Sequence, residues 1–282
     1  MNDSFKNLDY SKFKTYSCKE RVSKVNCKDF SRPWEKGGSF SIFLDKLPSI
    51  LAGNDIRYII KAISCAAKKK KQVCFAMGGH IIKTGMSPII IDLMKKNVFT
   101  LIAMNGAGII HDLETAMMGR TSEDVALSIG NGSFGMAKET SAFLNQAIKN
   151  AKTQSIGLGR AVGHMILKEN LEFKNLSLTA SGAALDIPVT VHVAIGTDII
   201  HMHPDFDAGA CGEASHYDFK WFSSNISNLE NGVFINAGSA VIMPEVFLKA
   251  VSLARNLGHR LDDFTTVNLD FIRHYRPMTN VV

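Results

Sequence analysis

The stretch VCFAMGGHIIKTGMSPIIIDLMKKNVFTLIAMNGAG, residues 73–108, decides the fold class. It contains a short apolar run, a glycine turn and a helical segment opened by Ser87 and Pro88, and then a second apolar run with a second glycine turn. Serine before proline favours a helix start, because the hydroxyl can cap free amides and proline suits the first turn. Strand, turn and helix in this order predict a parallel sheet.

The same unit recurs in the second half of the chain. The apolar runs PVTVHVAI at 188–195 and VFINA at 233–237 each lead into a glycine turn, and FTTVNL at 264–269 is the last run. These runs are continuous rather than alternating, which is typical of strands buried on both faces of a parallel sheet. We therefore predict an α/β fold with a doubly wound, mostly parallel, Rossmann-like sheet.

Helical patterns fill the sequence between the strands. Residues 121–185 contain three helical stretches, and TSED at 121–124 resembles a capping box with Thr121 as the cap. HDLETAMM at 111–118 follows the second glycine turn, and Pro244 opens a further helix after the fourth. The order of strands and helices therefore predicts one α/β domain.

Composition supports one large domain with a short extension. The chain has 282 residues, of which 46% are hydrophobic and 21% charged, so a sizeable core can form. We predict an N-terminal arm or helical layer at 1–50 and the α/β domain at 51–282. No stretch reaches the roughly 18 apolar residues of a membrane helix, and the N-terminus lacks an apolar signal core, so we expect a cytoplasmic protein without a membrane partner. Five scattered cysteines without a CxxC motif suit reduced thiols.

The net charge of +6 does not by itself indicate a nucleic-acid partner. Part of the excess lies in residues 1–36 and part in the run Lys68–Lys71. That run follows the helical stretch IRYIIKAISCAA, where cations suit the end of a helix dipole. A solvated helix end is the favoured interpretation and a polyanion site the alternative. We predict no nucleic-acid partner.

Glycine turns follow the apolar runs. AMGGH, MNGAG, AIGTD and NAGSA come at four predicted strand ends, where the backbone can approach a ligand closely. Ligands of open α/β sheets bind at the carboxyl ends of the strands, so these turns favour a nucleotide-type pocket. The chain has no complete GxGxxG and no GxxxxGK[ST], which disfavours the usual dinucleotide fingerprint and a P-loop. It has no GxSxG elbow either.

Polar residues cluster in GTDIIHMHPDFD, residues 196–207. His201 and His203 lie two residues apart, with Asp198, Asp205 and Asp207 nearby. These groups could orient an organic ligand, could bind a catalytic metal through the two histidines, or could be structural. A second polar set lies in or after the first two glycine turns and could serve as acid–base groups or as helix caps. Its members are His80, His111, Asp112 and Glu114.

Four pieces of the chain, in this order and spacing, carry a family resemblance: GGHIIKTGMSPIIIDLMKKN, MNGAGIIHDLE, IPVTVHVAIGTDIIHMHP and FINAGSAVIMPEVF. The chain resembles deoxyhypusine synthase, and more closely the bacterial deoxyhypusine synthase-like branch. The resemblance implies a Rossmann-like, NAD-binding fold and a homotetramer with sites at dimer interfaces. It also implies oxidation of spermidine by NAD, followed by transfer of a butylamine group to an active-site lysine and then to a lysine of a translation factor.

The resemblance also assigns site residues. Asp198 matches an aspartate that binds the polyamine. The positions that match NAD contacts, the last two of them more loosely, are Gly79, His80, Asn105, Gly106, Ala107, Gly238, Thr266 and Asp270. No metal ligand is assigned.

Departures from the family pattern concentrate in the polyamine half of the site. Ile110 and His111 stand where the family has two glutamates, and Ile242-Met243-Pro244 stands where it has Lys-His-His. The first turn lacks the family's serines, and the chain ends at Val282, about where the nucleophilic lysine segment would begin. A polycation needs paired carboxylates to offset its desolvation. We therefore expect a less cationic amine or a substrate that is not an amine, and no efficient butylamine transfer.

Three functions follow as hypotheses. The first is a deoxyhypusine synthase-like, NAD-dependent enzyme acting on an amine-bearing substrate, in the polyamine oxidation and aminoalkyl transfer class. Asp198 would anchor the substrate, and His111 or His201 would be the catalytic base. The second is a non-catalytic NAD- or nucleotide-binding assembly protein, and the third, weaker one is a metal-dependent hydrolase using His201 and His203.

Overall fold

The computed structural model describes residues 8–282. The chain forms two compact units, Met1–Tyr58 and Ile59–Val282, so the division falls eight residues after the predicted end of the arm. The first seven residues of that arm lie outside the described residues.

The first unit contains two short 3-10 turns and helix α1 (Phe40–Lys46). Helix α2 (Leu51–Lys68) begins in this unit and continues into the second. Within the first unit the Arg57 guanidinium donates to the carbonyl oxygens of Leu44, Leu47 and Pro48 at 3.1, 3.1 and 2.7 Å. These bonds hold the chain at and just after the end of α1.

The second unit is built on five parallel strands. They are β1 (Val73–Met77), β2 (Leu101–Asn105), β3 (Val189–His192), β4 (Val233–Ala237) and β5 (Thr265–Leu269). The strand order is β3-β2-β1-β4-β5, so the chain reverses its direction of winding between β1 and β4. Two cores line opposite faces of the sheet: Val73, Phe75 and Met77 belong to one, and Cys74 and Ala76 to the other. The predicted doubly wound α/β fold is confirmed.

Ten further helices connect and cover the strands. They are α3 (His80–Lys83), α4 (Ser87–Lys95), α5 (Gly106–Met118), α6 (Val125–Ser128), α7 (Lys138–Gln154), α8 (Leu158–Lys168), α9 (Leu178–Leu185), α10 (Ala208–Ile226), α11 (Ile242–Asn256) and α12 (Tyr275–Asn280). Four of them, rather than the predicted three, lie between residues 121 and 185. In the described part of the chain no helix is long and apolar enough to cross a membrane.

Two predicted helix caps were wrong. Ser87 is the first residue of α4, and Met86 occupies the cap position without a side-chain bond. Thr121 does not cap α6 either, because Asp124 does: its Oδ1 accepts from the amides of Ala126 and Leu127 at 3.0 and 3.3 Å. An aspartate immediately before the helix can reach these amides, whereas a hydroxyl three residues earlier lies outside the turn.

The second glycine turn is the start of a helix rather than a loop. Asn105 ends β2, and its Oδ1 accepts from the amide of Gly108 at 3.0 Å. This bond caps α5, so Gly106 and Gly108 lie in the first helical turn. The carboxyl end of β2 therefore passes directly into the helix that carries His111.

Asp218 connects three elements beneath the β3 side of the sheet. Its side chain projects from α10, and Oδ2 accepts from the amides of Gly159 in α8 and Val191 in β3, each at 3.0 Å. The residue is 2% exposed, and burial raises the pKa of its carboxyl to about 7. One side chain thus joins two helices to an edge strand.

Helix α8 packs so closely on β3 that a side chain at Gly159 has no room. A β-carbon there would lie 1.9 Å from the carbonyl oxygen of Val189. We expect Gly159→Ala to lower the free energy of unfolding by about 1–3 kcal/mol, because the backbone must move apart. The control is Gly212→Ala, where a β-carbon on α10 meets nothing within 4 Å. It should raise stability by up to about 1 kcal/mol. Urea denaturation measures both, and equal effects would contradict the close packing.

Candidate active site

The glycine turns meet along the carboxyl edge of the sheet. A β-carbon on Gly78, after β1, would lie 2.3 Å from the carbonyl oxygen of Gly238, after β4. A β-carbon on Gly79 would lie 2.9 Å from Cδ2 of His111 on α5. The first, second and fourth turns therefore form one continuous surface across the point where the winding reverses. Reversal points of this kind are where open α/β sheets bind ligands.

A cavity of about 230 Å³ opens beside this edge, on the β2–β3 side. Its walls are α5, the segment that follows α5, and the loop after β3. Ile110 and His111 both line it, so the two departures from the family's glutamates face the cavity. Its polar lining residues are Lys83, His111, Glu114, Ser122, Glu123, Thr197 and Asp198.

His111 is held in one orientation by a chain of hydrogen bonds. Its Nδ1 lies 2.8 Å from Oγ1 of Thr121, and that hydroxyl donates to Oε2 of Glu114 at 2.5 Å. A hydroxyl has one proton, which goes to the carboxylate, so Thr121 must accept from Nδ1–H. The neutral ring therefore keeps its lone pair on Nε2. Thr140 donates to the other oxygen of Glu114 at 3.1 Å.

The chain reversal after α5 makes this arrangement possible. Helix α5 ends at Gly119, which adopts a left-handed conformation with φ +67°. Such a residue turns the chain sharply at a helix end. Thr121 consequently folds back to His111, ten residues earlier in the sequence. The sequence placed Glu114 three residues after His111, on the same helix face, but gave no sign that Thr121 joins the two.

Burial keeps the His111 ring neutral. Loss of solvent lowers the pKa of His111, the Glu114 charge opposes this by raising it, and the charges of Lys83 and His80 lower it further. The net effect is a pKa below the ordinary histidine value. At neutral pH His111 thus presents an unprotonated Nε2, as a general base requires.

Asp198 is a buried carboxyl with an unused oxygen. Its side chain is 7% exposed, and Oδ2 has no hydrogen-bond partner among the described residues. Burial raises the pKa of this carboxyl to about 6. It lies against the start of α5, where a β-carbon on Gly106 would come within 1.8 Å of Oδ2. An unpaired carboxylate is costly to bury, which makes this group a candidate for ligand binding.

His201 does not line the cavity. Its Nδ1 accepts from the amides of Gly196 and Asp198 at 2.9 and 3.2 Å, and its side chain is 6% exposed. Its Nε2 lies 3.9 Å from Oδ2 of Asp198, too far for a hydrogen bond. The structure therefore places His201 against Asp198 and outside the cavity lining, with Nδ1 bonded to the loop and Nε2 without a hydrogen-bond partner among the described residues.

His203 also has a structural contact. Its Nε2 donates to the carbonyl oxygen of Gly135 at 2.9 Å and ties the loop after β3 to the segment after α5. Both histidines of the hydrolase hypothesis thus use a ring nitrogen on the protein itself. Within residues 8–282 no group of three or more His, Cys, Asp and Glu side chains is arranged to hold a metal.

Two of the candidate acids are helix caps. Asp112 is fully buried and accepts from the amides of Leu178 and Thr179 at the start of α9, at 2.6 and 3.1 Å. Asp207 accepts from the amide of Ala210 at the start of α10. For these two residues the hydrogen bonds therefore agree with a role as helix caps rather than as acid–base groups.

The remaining sequence-predicted positions divide into two groups. Gly238 and Asp270 follow β4 and β5 at the carboxyl edge. Thr266 pairs with Phe234 inside the sheet, three residues before the end of β5. At about 3.3 Å per residue it lies roughly 10 Å below the edge, so the structure does not bring it to the other positions.

Backbone N–H groups without protein partners gather near β1 and β4. The amides of Gly79 and His80 donate no hydrogen bond within the described part of the chain, nor do those of Ser239 and Ala240 ahead of α11. Helix α11 has 15 residues, and its start carries partial positive charge. Donors of this kind suit a phosphate or diphosphate group, so the residues present fit a dinucleotide.

Comparisons with known proteins give no family assignment. No protein-family model matches the chain, and no curated protein shows significant similarity. Solved structures share parts of the fold. A protein from Methanococcus maripaludis S2 assigned provisionally to the LOR/SDH group is 14% identical, with TM-score 0.45, over 83% of this chain and 60% of its own. AgrE, in a ternary complex with ornithine and NAD+, is 14% identical, with TM-score 0.43, over 68% of this chain and 25% of its own.

A third structure matches over almost its whole length. A protein from Entamoeba histolytica assigned provisionally as a deoxyhypusine synthase is 12% identical, with TM-score 0.42, over 82% of this chain and 98% of its own. The chain spans less than two thirds of the first two proteins. Similarities of this size carry no argument about function.

The Asp198 carboxyl should make stability depend on pH. Its pKa is about 6 in the folded chain against 3.8 for the free side chain, so the folded state loses stability as pH rises from about 4 to above 6. A rise in the pKa of about 2 corresponds to a loss of about 3 kcal/mol in the free energy of unfolding above pH 6. We expect Asp198→Asn to be more stable than the native chain above pH 6, with the difference vanishing near pH 4.

Urea denaturation across this pH range measures the effect. Asp205→Asn, which changes an exposed carboxyl in the same loop, is the control and should leave the pH dependence unchanged. A difference between native chain and Asp198→Asn that does not grow with pH would mean that Asp198 has a solvent or protein partner.

Proposed function

We propose that the chain is an NAD-dependent enzyme that acts on an amine-bearing substrate, with Asp198 as the amine anchor and His111 as the general base. The observation that carries this proposal is the buried carboxyl of Asp198, which has one oxygen without a partner and lines the same cavity as His111. An anion and a proton acceptor in one cavity provide the two groups that amine chemistry requires.

Asp198 supplies the charge that holds the substrate. Burial disfavours its ionised form, and an ammonium group bound to the carboxyl from the cavity would offset that cost. Binding would lower the pKa of the carboxyl and fix the amine near α5. Because the pKa of the buried Asp198 carboxyl is about 6 before a ligand binds, amine binding should weaken below that pH.

His111 moves the proton. Its Nε2 would take a proton from the substrate nitrogen as the carbon–nitrogen double bond forms, and Nδ1–H would remain bonded to Thr121. The Glu114 carboxylate, one hydroxyl further, stabilises the resulting imidazolium. Thr121 and Glu114 thus act as positioning residues, which keep the base in the tautomer that the reaction needs.

The residues that would hold NAD lie on the other side of His111. The free amides of Gly79 and His80 and of the loop before α11 would bind the diphosphate, and Asp270 at the end of β5 suits a ribose hydroxyl. Gly238 has φ +60°, and a β-carbon there would lie 3.6 Å from the Ile81 side chain, in ordinary contact. When bound, NAD supplies the acceptor for a hydride from the carbon that bears the amine.

Transfer of an aminoalkyl group through a protein lysine is not part of this proposal. Lys249 is paired with Glu245 on α11. Met243, where the family pattern has a histidine, is fully buried in the core beneath α11. This departure therefore changes packing, whereas Ile110 and His111 change the cavity itself.

We also propose a homo-oligomer, as a tetramer. The segment after β5 leaves large apolar side chains in solvent: Phe271 is 96% exposed and Tyr275 is 77% exposed. Exposed apolar groups of this size are typical of surfaces that a second chain covers.

NAD binding is tested at Gly238. We expect Gly238→Val to weaken NAD binding tenfold or more, because the branched side chain would enter the space beside the turn. A positive φ also strains the variant by about 1–2 kcal/mol. Gly258→Val controls for that strain, since Gly258 has φ +84°, a β-carbon there would meet nothing within 4 Å, and the residue follows the end of α11, seven residues before β5. Calorimetry that detects no NAD binding to the native chain, or equal affinity in all three proteins, would refute the cofactor site.

Turnover is tested by NADH formation with a panel of amines. We expect His111→Gln to lower kcat by about 10²–10⁴. In Thr121→Val the imidazolium loses its acceptor, so kcat should fall and the acidic limb of the pH–rate profile should move to lower pH. Thr115→Val, which removes a hydroxyl bonded to the His111 carbonyl oxygen, is the matched control and should keep the native profile. NAD binding without NADH formation from any amine would favour the non-catalytic assembly protein instead.

A further inference from the structure

The cavity beside α5 contains side chains of opposite charge that do not pair with each other. Lys83 lines it from α3 and Asp198 from the loop after β3. Within residues 8–282 no carboxylate oxygen lies within 4 Å of the Lys83 ammonium group. The Asp198 carboxyl approaches only the ring of His201. Lys83 is exposed, so water solvates its ammonium group without a carboxylate partner. The cavity therefore keeps an ammonium and a carboxyl separately available.

The other acidic side chains in the cavity are already in use. Both oxygens of Glu123 accept from the amide of Gly135, at 3.3 and 3.0 Å. Both oxygens of Glu114 accept from threonine hydroxyls. Asp198 is thus the cavity carboxyl with a buried oxygen that has no partner, whereas each oxygen of Glu123 and Glu114 already accepts a hydrogen bond.

The rest of the lining is apolar. Between the charged groups the cavity presents Ala107, Ile110, Val125, Phe134 and Ile199. Such a surface suits a short carbon chain and offers no hydrogen bond to a further polar group. The Lys83 charge also reaches His111, where it contributes to the low pKa of the ring.

We propose that the substrate of this site is an aliphatic amino acid, whose ammonium group binds Asp198 and whose carboxylate binds Lys83. This assignment rests on the proposed function and narrows it. A diamine whose first ammonium group binds Asp198 would bring its second cation towards the like charge of Lys83. An amino acid instead uses both unpaired charges of the cavity, and its carbon chain covers the apolar wall.

Matched ligand pairs test the assignment with NAD present. The pairs are γ-aminobutyrate with putrescine, δ-aminovalerate with cadaverine, and norvaline with butylamine, which differ in whether a carboxylate is present. We expect the native chain to bind at least one carboxylate-bearing ligand about tenfold more tightly than its partner. Lys83→Glu should reverse that preference, and Lys83→Met should abolish it.

Lys95→Glu is the control for the change of net charge. Lys95 is exposed at the end of α4 and does not line the cavity, so its variant should keep the native preference. Calorimetry gives the affinities, and thermal unfolding verifies that each variant is folded.

The outcomes separate this inference from the proposed function. If the native chain prefers the amines, or if Lys83→Glu changes no ratio, the amino acid assignment is overturned. Amine binding that Asp198→Asn abolishes would still support the proposed function in that case. If no ligand of any pair binds while NAD does, both are overturned.

Discussion

The Asp218 carboxylate is the interaction on which the site side of the molecule depends. It bonds to α8 and to β3 from α10, in a place without water to substitute for it. Strand β3 is at the edge of the sheet and pairs only with β2. Without Asp218 the edge strand would be held by β2, by packing and by the Ser215 hydroxyl of α10, which donates to the carbonyl oxygen of Val191 at 3.2 Å. Since β3 leads into the loop that carries Asp198, the position of the anchor derives from this tether.

Helix α5 starts at the end of β2 and carries His111, so the strand end determines where this side chain lies. Asn105 caps the helix at the strand end, so the axis of α5 starts at a fixed point of the edge. His111 and Glu114 then lie on one face, less than one helical turn apart. The reversal at Gly119 brings Thr121 back between them. The helix and the turn that follows it thus position His111, Thr121 and Glu114 in one chain of hydrogen bonds.

The sequence allowed the fold to be predicted well and the site only in part. Continuous apolar runs located β1 and β4 to the residue, because a strand buried on both faces leaves few polar positions. The glycine turns located the carboxyl edge, and the resemblance pointed to His111 and Asp198. Thr121 was misread as a cap, since its partner lies across a chain reversal that spacing cannot show. Thr266 matched loosely, and register places it inside the sheet.

Gly106 has a consequence for how this chain can diverge. The carboxyl of Asp198 occupies the volume that any other side chain at position 106 would fill. The two positions therefore form a single unit of sequence variation. A lineage that acquires even a methyl group at 106 must give up the acid at 198 or rebuild the loop that carries it. Covariation of these positions in a family tree would mark the branches in which the chemistry has been replaced.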